Sequence, residues 1–315
     1  MSIQNIDLIK DIPGYDNFTK IESVNKGASG QEKYYIETAD NQRLLLKTFD
    51  ADGYWGYESK KKLFGMMQKF AALEIPMCDP IDFGLCNNGA SAYLMLKWCE
   101  GKDAEILCNN LSETDQYNIG LQAGAILKKV HSIPVAQKSP EDWYSWCVNS
   151  STNGLTDFKK CGIQIDGSDT IISYFEENKH LLKDRPRSIH HGDYHLGNFI
   201  ISDKLDLSVI DWDNYGEGDP WIEFGAINNS DVFPYFTTGY LRGYFNGEPP
   251  AEFWAVLPLY LVVGALTLVP YAFYGQRDFL DSCVQNAKNM VRWFDSMKSP
   301  IPAIYIKDFT PNCPK

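Results

Sequence analysis

The chain contains 315 residues, of which 44% are hydrophobic and 14% aromatic, so it can bury a large core and exceeds one minimal domain. Its 41 acidic and 29 basic residues give a formal net charge of −12, which disfavours nucleic acid and anionic membranes as partners. No signal-peptide pattern opens the chain, and its eight cysteines include no CxxC pair. We therefore expect a soluble, cytoplasmic protein with reduced thiols.

Residues 1–98 are predicted to form a mainly antiparallel β unit with one helix. Leu63, Met66, Met67 and Phe70 recur at helical spacing, which predicts a helix over residues 57–72. Apolar strands, separated by turn-forming stretches, are expected at residues 18–24, 33–38, 43–49 and 92–98.

The turn between the first two strands has the composition of a phosphate-binding loop. It reads Lys26-Gly27-Ala28-Ser29-Gly30. The glycines Gly27 and Gly30 allow the backbone to approach a phosphate closely, and Ser29 can hydrogen-bond a phosphate oxygen. The loop lacks GxGxxG spacing, and a plain hairpin turn accounts for the same residues equally well.

A lysine and a glutamate follow this loop in the order that a kinase requires. Lys47 lies on the predicted strand 43–49, and Glu58 opens the helix that follows. Kinases hold the α- and β-phosphates with a strand lysine, which a helix glutamate holds in turn. We therefore predict that Lys47 and Glu58 pair and bind the nucleotide phosphates.

Residues 99–315 are predicted to be mainly helical. Helical periods occur over residues 114–131 and 171–182. Residues 253–274 carry no formal charge and are long enough to cross a bilayer. However, Pro258, Gly264 and Pro270 interrupt the stretch and no strongly basic flank anchors it, so a buried core helix is favoured over a membrane span.

A short β-like block, residues 189–212, carries most of the chemistry. Asp193 is followed by Asn198, and an apolar hairpin then leads to Asp211. Protein kinases use this order for a catalytic aspartate, a metal-binding asparagine and a metal-binding aspartate. An attacking hydroxyl needs a carboxylate to accept its proton, and magnesium needs hard oxygen ligands. The pattern therefore predicts Asp193 as the catalytic base and Asn198 and Asp211 as ligands of Mg²⁺.

A transition-metal site and a structural turn are the alternatives for this block. The crowding of His190, His191, Asp193 and His195 is compatible with a zinc or iron hydrolase site, but HExxH-like spacing is absent and the hairpin would have no role. In the structural alternative, the polar residues satisfy a buried turn, and we favour this interpretation for His190 and His195.

The chain resembles the aminoglycoside phosphotransferase (phosphotransferase enzyme) family. The resemblance rests on His191-Gly192-Asp193 with Asn198, and on Val209-Ile210-Asp211-Trp212-Asp213 followed by Gly218-Asp219-Pro220. Residues 127–131 and 93–101 look like the family's helix end before the catalytic block and its hinge. Two departures are Lys97, where relatives often carry Glu, and Glu223, where many carry Asp.

The resemblance implies an α+β fold of the bilobal protein-kinase type, with a nucleotide-binding lobe at residues 1–98 and a catalytic, acceptor-binding lobe at residues 99–315. Adenine would bond backbone groups from Lys97 to Cys99, and ATP or GTP would be the phosphoryl donor. His131 and Asp219 would be structural.

The acceptor is expected to be a small, cationic, hydroxyl-bearing molecule, with an aminoglycoside or related antibiotic as the leading class. An aromatic and acidic wall suits a polyamine sugar through charge and cation–π contacts; the candidate residues are Trp143, Tyr144, Trp146, Trp221, Asp231 and Tyr235. The alternatives are a metabolic kinase for an amino alcohol, sugar or homoserine-like hydroxyl, and a catalytically silent nucleotide-binding protein.

Overall fold

The computed structural model describes residues 6–25, 31–135, 140–227 and 232–311. The chain divides into two compact units. The N-terminal unit holds residues 1–102 together with the short segments Ile200–Ser202 and Ser208–Asp213, and the C-terminal unit holds the remainder. The sequence predicted a single boundary after residue 98. In the structure, the N-terminal unit also includes two segments of the hairpin that follows the 191–198 loop.

The N-terminal unit is built on a five-stranded antiparallel sheet of order β1-β2-β3-β5-β4. Its strands are β1 (Phe18–Ser23), β2 (Glu32–Thr38), β3 (Arg43–Asp50), β4 (Pro80–Cys86) and β5 (Ser91–Lys97), and its helix is α1 (Tyr57–Ala72). Of these five strands, β4 is the one that the sequence did not predict. β4 begins with a proline and lies at the sheet edge, where a missing N–H donor is tolerated.

Strand β3 separates the core of this unit from a charged cluster. Leu44 and Leu46 point to one face and pack in a core that includes Ile36 and Met95. Because successive side chains of a strand alternate between faces, Lys47 points to the opposite face. It is nevertheless only 6% exposed, so the position requires buried counter-charges.

The C-terminal unit is mainly helical. It contains α2 (Ala104–Leu107), α3 (Glu113–His131), α4 (Pro140–Cys161), α5 (Ser168–Asn178), α6 (Pro234–Phe245), α7 (Ala251–Gly275) and α8 (Leu280–Trp293), and the short strand β6 (Lys102–Asp103) lies at the boundary along the chain. Between α5 and α6 the chain forms the short strands β7 (Ser188–His190), β8 (Phe199–Ile201), β9 (Leu207–Val209) and β10 (Gly216–Gly218), and most of β8 and β9 belongs to the N-terminal unit.

Short 3₁₀ segments occur in both units. They are Ile6–Ile9, Tyr15–Asn17, Asn87–Gly89, Cys108–Asn110, Lys179–Leu182, Leu196–Asn198, Trp212–Asn214, Pro220–Ala226 and Arg277–Phe279.

Helices α3 and α6 pack with their backbones in close contact. A Cβ added to Gly120 or Gly124 of α3 would lie 2.1 Å from a backbone oxygen of α6, and one added to Gly239 would lie 2.1 Å from the Tyr117 oxygen. Glycine at this spacing on both helices is therefore required by the packing. The pair supports residues 191–198, called the catalytic loop after its predicted role, because the Tyr194 hydroxyl donates to the Ala123 carbonyl at 2.7 Å.

Helix α7 is the uncharged stretch that the sequence singled out. By length and composition it could cross a membrane, but 78% of its most apolar window is buried inside the protein. Pro258 and Pro270 lie within the helix and do not end it. Helix α7 packs against α4, α5 and α8, which is the core-helix arrangement that the sequence favoured.

Candidate active site

The catalytic loop follows β7, which pairs with β10. Gly192 turns the chain here with a φ of +84°, and a Cβ at this position would lie 2.1 Å from the Asn214 carbonyl oxygen. Both observations require glycine. The turn presents the next residue, Asp193, as a partly exposed side chain.

Asp193 and Asn198, predicted to act together, are in direct contact. The Asn198 amide Nδ2 donates to the Asp193 carboxylate oxygen Oδ2 at 2.9 Å and to the Asp193 carbonyl at 2.8 Å. These bonds occupy the nitrogen of the Asn198 side chain and leave its oxygen, Oδ1, to serve as a ligand. A hard amide oxygen beside a carboxylate fits the ligand preferences of magnesium.

His195 contributes more to this loop than the sequence indicated. Its Nδ1 accepts from the Gly197 N–H at 3.1 Å, so this nitrogen carries no proton, and its Nε2 lies 3.3 Å from Asp193 Oδ1. The hydrogen bond from His195 lowers the pKa of Asp193 below its usual value against the effect of burial, and the charge of His195 and the hydrogen bond from Asn198 add to the shift. Asp193 is therefore ionised at neutral pH. His195 contacts the Asp193 carboxylate as well as the loop backbone, which the structural interpretation predicted it to orient.

Glu223 is a further residue whose role the sequence did not predict. It is 3% exposed, and its carboxyl oxygens accept from the backbone N–H groups of His191 and Gly192. Burial raises the pKa of Glu223 to about 7, although the two N–H groups oppose the rise. Glu223 thus anchors the turn that carries Asp193. The sequence feature that drew attention to Glu223 was that many family members carry aspartate at this position.

Two neighbouring buried histidines are neutral. Burial, reinforced by the charge of Arg187, lowers the pKa of His190 to about 4, and burial lowers the pKa of His131 to about 3. His131 Nδ1 lies 2.9 Å from the Tyr244 hydroxyl. In the described part of the chain, no group of three or more His, Cys, Asp or Glu side chains is arranged to hold a metal.

A second group of candidate residues lies in the N-terminal unit. Lys47 Nζ contacts Asp211 Oδ1 at 2.9 Å and Asp213 Oδ2 at 2.8 Å, and the buried Lys60 of α1 pairs with the other oxygen of Asp213. Burial alone would lower the pKa of Lys47, but the charges of Asp213 and Asp211 outweigh it and raise that pKa. Likewise, burial would raise the pKa of Asp213, but Lys47 and Lys60 hold it below its usual value.

The hairpin end places Asp211 in this cluster. The Val209 N–H donates to the Pro76 carbonyl at 2.8 Å, and the Trp212 ring packs 4.4 Å from Phe70 of α1. Between these two attachments, Asp211 adopts a φ of 65°, an uncommon value for a residue with a side chain. Its side chain is 33% exposed against 16% for Asp213, so Asp211 is the accessible carboxylate and the better candidate metal ligand.

The predicted ion pair between Lys47 and Glu58 does not form in this structure. Glu58 is exposed near the start of α1, and the carboxylate partners of Lys47 are Asp211 and Asp213. The physical reason is helix geometry. The buried side of α1 carries Lys60 and Leu63, and a residue two positions before Lys60 is rotated about 200° around the axis, to the far side.

The hinge residues differ in how their backbone groups are used. The Lys97 N–H donates to the Asp79 carbonyl at 2.8 Å, and the Trp98 N–H donates to the Arg43 carbonyl at 2.9 Å. Within the described ranges, the Cys99 N–H has no backbone partner. The Cys99 backbone instead hydrogen-bonds the Cys78 side chain, so its contact with an adenine or guanine ring stays a prediction. Gly27, Ser29 and Gly30 of the predicted phosphate loop lie outside the described residues.

The described aromatic residues predicted to form the acceptor wall pack in separate groups. Trp143 is buried and packs on Trp146, Tyr235 packs on Phe309, and the Arg185 guanidinium lies 3.8 Å from the Trp221 ring centre. Arg185 also pairs with the fully buried Asp219, which is consistent with the structural role expected of that residue. Asp231, the other proposed acceptor contact, lies outside the described residues.

A cavity of about 590 Å³ instead opens beside Asp193, within the C-terminal unit. It is lined by the catalytic loop, the segment Pro220–Ala226, and helices α7 and α8. The sequence did not identify α7 and α8 as part of the site, because a mostly buried apolar helix gives no sequence signal for the side that borders a cavity.

Solved structures of low sequence identity share this fold. The GDP complex of aminoglycoside 2'-phosphotransferase-IIIa is 12% identical, with 90% of this chain and 95% of that chain covered and a TM-score of 0.69. A choline/ethanolamine kinase family protein from Mesorhizobium loti is 14% identical, with 93% and 95% covered and a TM-score of 0.61. Amicoumacin kinase hAmiN, in complex with AMP-PNP, Ca²⁺ and Ami, is 12% identical, with 90% of each chain covered and a TM-score of 0.56. The predicted α+β, kinase-like fold class is confirmed.

No curated protein matches the sequence. The model of the phosphotransferase enzyme family, by contrast, matches residues 20–254, well over half of the chain. This match agrees with the contact between Asp193 and Asn198 and with the Lys47–Asp211 pair, which involve the residues that carried the resemblance. The chain belongs to the phosphotransferase enzyme family.

Proposed function

We propose that this chain is a small-molecule O-kinase that transfers the γ-phosphate of a magnesium-bound nucleoside triphosphate to a hydroxyl group. The observation that carries the proposal is the ionised, partly exposed Asp193, which is held by His195 and Asn198 and borders a ligand-sized cavity. Family membership supports the reaction class, whereas the named acceptors of the relatives differ from one another.

In the proposed reaction, the acceptor hydroxyl lies in the cavity with its proton directed at the Asp193 carboxylate. Asp193 accepts that proton as the oxygen–phosphorus bond forms and the bond to the leaving nucleoside diphosphate breaks. His195 and Asn198 fix the carboxylate orientation, and Glu223 fixes the loop backbone, so little reorganisation is needed.

Lys47 is proposed to bind the nucleotide phosphates, with Asn198 Oδ1 and Asp211 as the metal-ligating oxygens. When bound, Mg²⁺ would offset the negative charge of the phosphates. The family resemblance adds the loop residues Gly27, Ser29 and Gly30. Two relatives are complexes with GDP and AMP-PNP, so ATP and GTP are both candidate donors. A cytoplasmic location, where nucleotide is abundant, is part of the same proposal.

An aminoglycoside acceptor and a role in antibiotic resistance rest on the resemblance alone. The relatives include a choline/ethanolamine kinase family protein and an amicoumacin kinase as well as aminoglycoside phosphotransferases. A metabolic amino alcohol or sugar therefore remains an alternative acceptor, and the local chemistry of the cavity has to decide between them.

A turnover assay with identified products tests the reaction class. Purified protein is incubated with Mg²⁺ and either ATP or GTP across a panel of hydroxyl compounds, and both nucleoside diphosphate and phosphorylated acceptor are measured by mass spectrometry. We expect phosphate ester and diphosphate in equal amounts, with loss of both in Asp193→Asn. Nucleotide binding with no Asp193-dependent ester from any acceptor would instead identify a silent nucleotide-binding protein.

A further inference from the structure

The cavity beside Asp193 has the size of a site for a drug-sized molecule. Its volume of about 590 Å³ falls within the usual range for small-molecule pockets. Asp193 and Gly192 form the catalytic end. The remaining described lining comes from His190, Ile222, Glu223, Gly225, Tyr260, Leu261, Gly264, Ala265, Thr267, Leu268, Cys283, Asn286 and Met290.

Helix α7 supplies one side of the cavity as a continuous stripe. Leu261, Gly264 and Leu268 recur at intervals of three and four residues, which places them on one helix face. Two polar side chains of the same helix are already engaged: the Tyr260 hydroxyl donates to Asp219 at 2.7 Å, and the Thr267 hydroxyl donates to the Gly264 carbonyl at 2.8 Å. The stripe therefore presents a mainly apolar surface to a ligand.

Few of the lining residues that the structure describes carry negative charge. The carboxylates among them are Asp193 and Glu223. Glu223 is anchored to the backbone N–H groups of His191 and Gly192, and burial raises its pKa to about 7, so it is a poor counter-charge. His190 supplies no negative charge. Within the described part of the lining, Asp193 is the remaining carboxylate, and its proposed role is to accept the hydroxyl proton.

This distribution of charge is unsuited to a polycation. Ammonium groups placed deep in the cavity would lose hydration without gaining carboxylate partners among the described lining residues, which is unfavourable. An apolar body would instead gain free energy from the apolar surface that it removes from water. The residues that line the cavity therefore favour an apolar ligand over a polycation, and the chain's net charge of −12 does not change this local preference.

Gly264 shows that part of the cavity exists because a side chain is missing. A Cβ added to this residue would meet no atom within 4 Å, so no close packing requires glycine in the helix interior. Glycine in a helix interior is destabilising relative to alanine. The missing side chain instead leaves open space in the cavity that Gly264 lines, which makes Gly264 a residue that sets the size of the acceptor.

We propose that the phosphoryl acceptor is a neutral, largely apolar molecule whose body packs against α7 and α8 while one hydroxyl reaches Asp193. This inference rests on the proposed kinase function and replaces the cationic acceptor expected from the sequence. The chemistry is unchanged: the hydroxyl proton passes to Asp193, the oxygen–phosphorus bond forms, and nucleoside diphosphate leaves.

A binding experiment tests the cavity chemistry without relying on turnover. The fluorescent probe is N-phenyl-1-naphthylamine, which is neutral and apolar. The competitors are 1-adamantanol, 3-amino-1-adamantanol, which keeps the cage and hydroxyl but adds an ammonium group, and the polycation kanamycin. We expect 1-adamantanol to displace the probe at a concentration at least about tenfold lower than its amino analogue, and kanamycin to leave it bound. Absence of probe binding, or equal competition by the three compounds, would overturn the inference.

Two variants locate the binding in this cavity. Gly264→Leu should weaken probe binding at least about tenfold by filling the cavity. Its matched control is Gly65→Leu, a mid-helix glycine of α1 that also has open space around it, and this variant should stay within about twofold of wild type. Equal probe affinity in wild type and Gly264→Leu would contradict the assignment.

A negative charge introduced at the exposed edge of the cavity should make the protein prefer the cationic competitor over the neutral one. Leu268 is 54% exposed, so Leu268→Glu can fold, and it should favour 3-amino-1-adamantanol over 1-adamantanol. Leu73→Glu, at a residue 42% exposed on the other unit, should leave the preference unchanged. An unchanged preference in Leu268→Glu would overturn the inference.

Turnover separates this inference from the proposed function. Apolar binding that Gly264→Leu abolishes, without an Asp193-dependent phosphate ester from any acceptor, would reject the kinase proposal and uphold the apolar ligand class. Asp193-dependent phosphorylation of kanamycin that Gly264→Leu does not affect would uphold the kinase and reject the neutral acceptor.

Discussion

Removal of the Lys60 charge is the sharpest test of the buried cluster in the N-terminal unit. Lys60 is 3% exposed and pairs with one oxygen of Asp213, whose other oxygen contacts Lys47 at 2.8 Å. Lys60→Met keeps an unbranched side chain that is one heavy atom shorter and removes its charge. Asp213 then depends on Lys47 alone, while Asp211 competes for the same lysine.

The expected loss follows from the burial of the charges. Removing one partner of a buried ion pair typically costs 3–5 kcal/mol, and because Lys47 remains we expect about 3 kcal/mol. That loss corresponds to a fall of roughly 6–12 °C in the first unfolding transition. The nucleotide KM should rise as well, because Lys47 becomes the only cationic partner of Asp213 and is held away from the phosphates.

Thermal and urea unfolding measure the stability change, with Lys62→Met as the matched control because Lys62 is exposed on the same helix. The double variant Lys60→Met/Asp213→Asn should recover part of the loss, since it removes the uncompensated carboxylate. The reasoning fails if Lys60→Met is no less stable than Lys62→Met. It also fails if adding Asp213→Asn to Lys60→Met lowers the free energy of unfolding again by a similar amount.

Three further outcomes are expected. Asp211→Asn should weaken Mg²⁺-dependent nucleotide binding, measured by calorimetry, and binding equal to wild type would remove Asp211 from the metal site. Folding lowers the pKa of His190 to about 4, so the unfolded state binds more protons below about pH 6.5 and stability falls as the pH drops from there toward 4. At about pH 5 the loss is about 2 kcal/mol, and His190→Gln should lose that much less between about pH 7 and pH 5 in urea titrations. Gly120→Ala should cost about 2 kcal/mol or more, because the new Cβ would lie 2.1 Å from the Phe236 carbonyl oxygen, whereas Gly65→Ala should be neutral or stabilising.

Local patterns predicted much of the fold and one half of the site. The helix over residues 114–131 is α3, which extends over Glu113–His131 and begins at a Ser112 N-cap. The contact between Asp193 and Asn198 also follows from sequence, because one short loop brings the two residues together. In both cases the interacting residues are close along the chain, so spacing alone constrains their geometry.

The remaining features depend on packing that spacing does not encode. Strand β4 was missed because its edge position, which tolerates Pro80, is a property of the whole sheet. Glu58 was predicted to pair with Lys47 because of its position after the strand along the chain. In the structure, the helical rotation of α1 buries Lys60 rather than Glu58. The cavity lining on α7 has the same apolar composition as a core helix, and only the tertiary packing leaves the space at Gly264 unfilled.

The most direct test of the central claim is to separate binding from transfer in Asp193→Asn. Calorimetry measures the affinity for Mg²⁺ with a non-hydrolysable nucleotide, and labelled γ-phosphate measures transfer to the acceptor. Because Asp193 is proposed to act on the acceptor hydroxyl, the account predicts an affinity within about twofold of wild type and a rate of transfer lower by about 10²–10⁴-fold. A large loss of nucleotide affinity, or transfer at the wild-type rate, would contradict it.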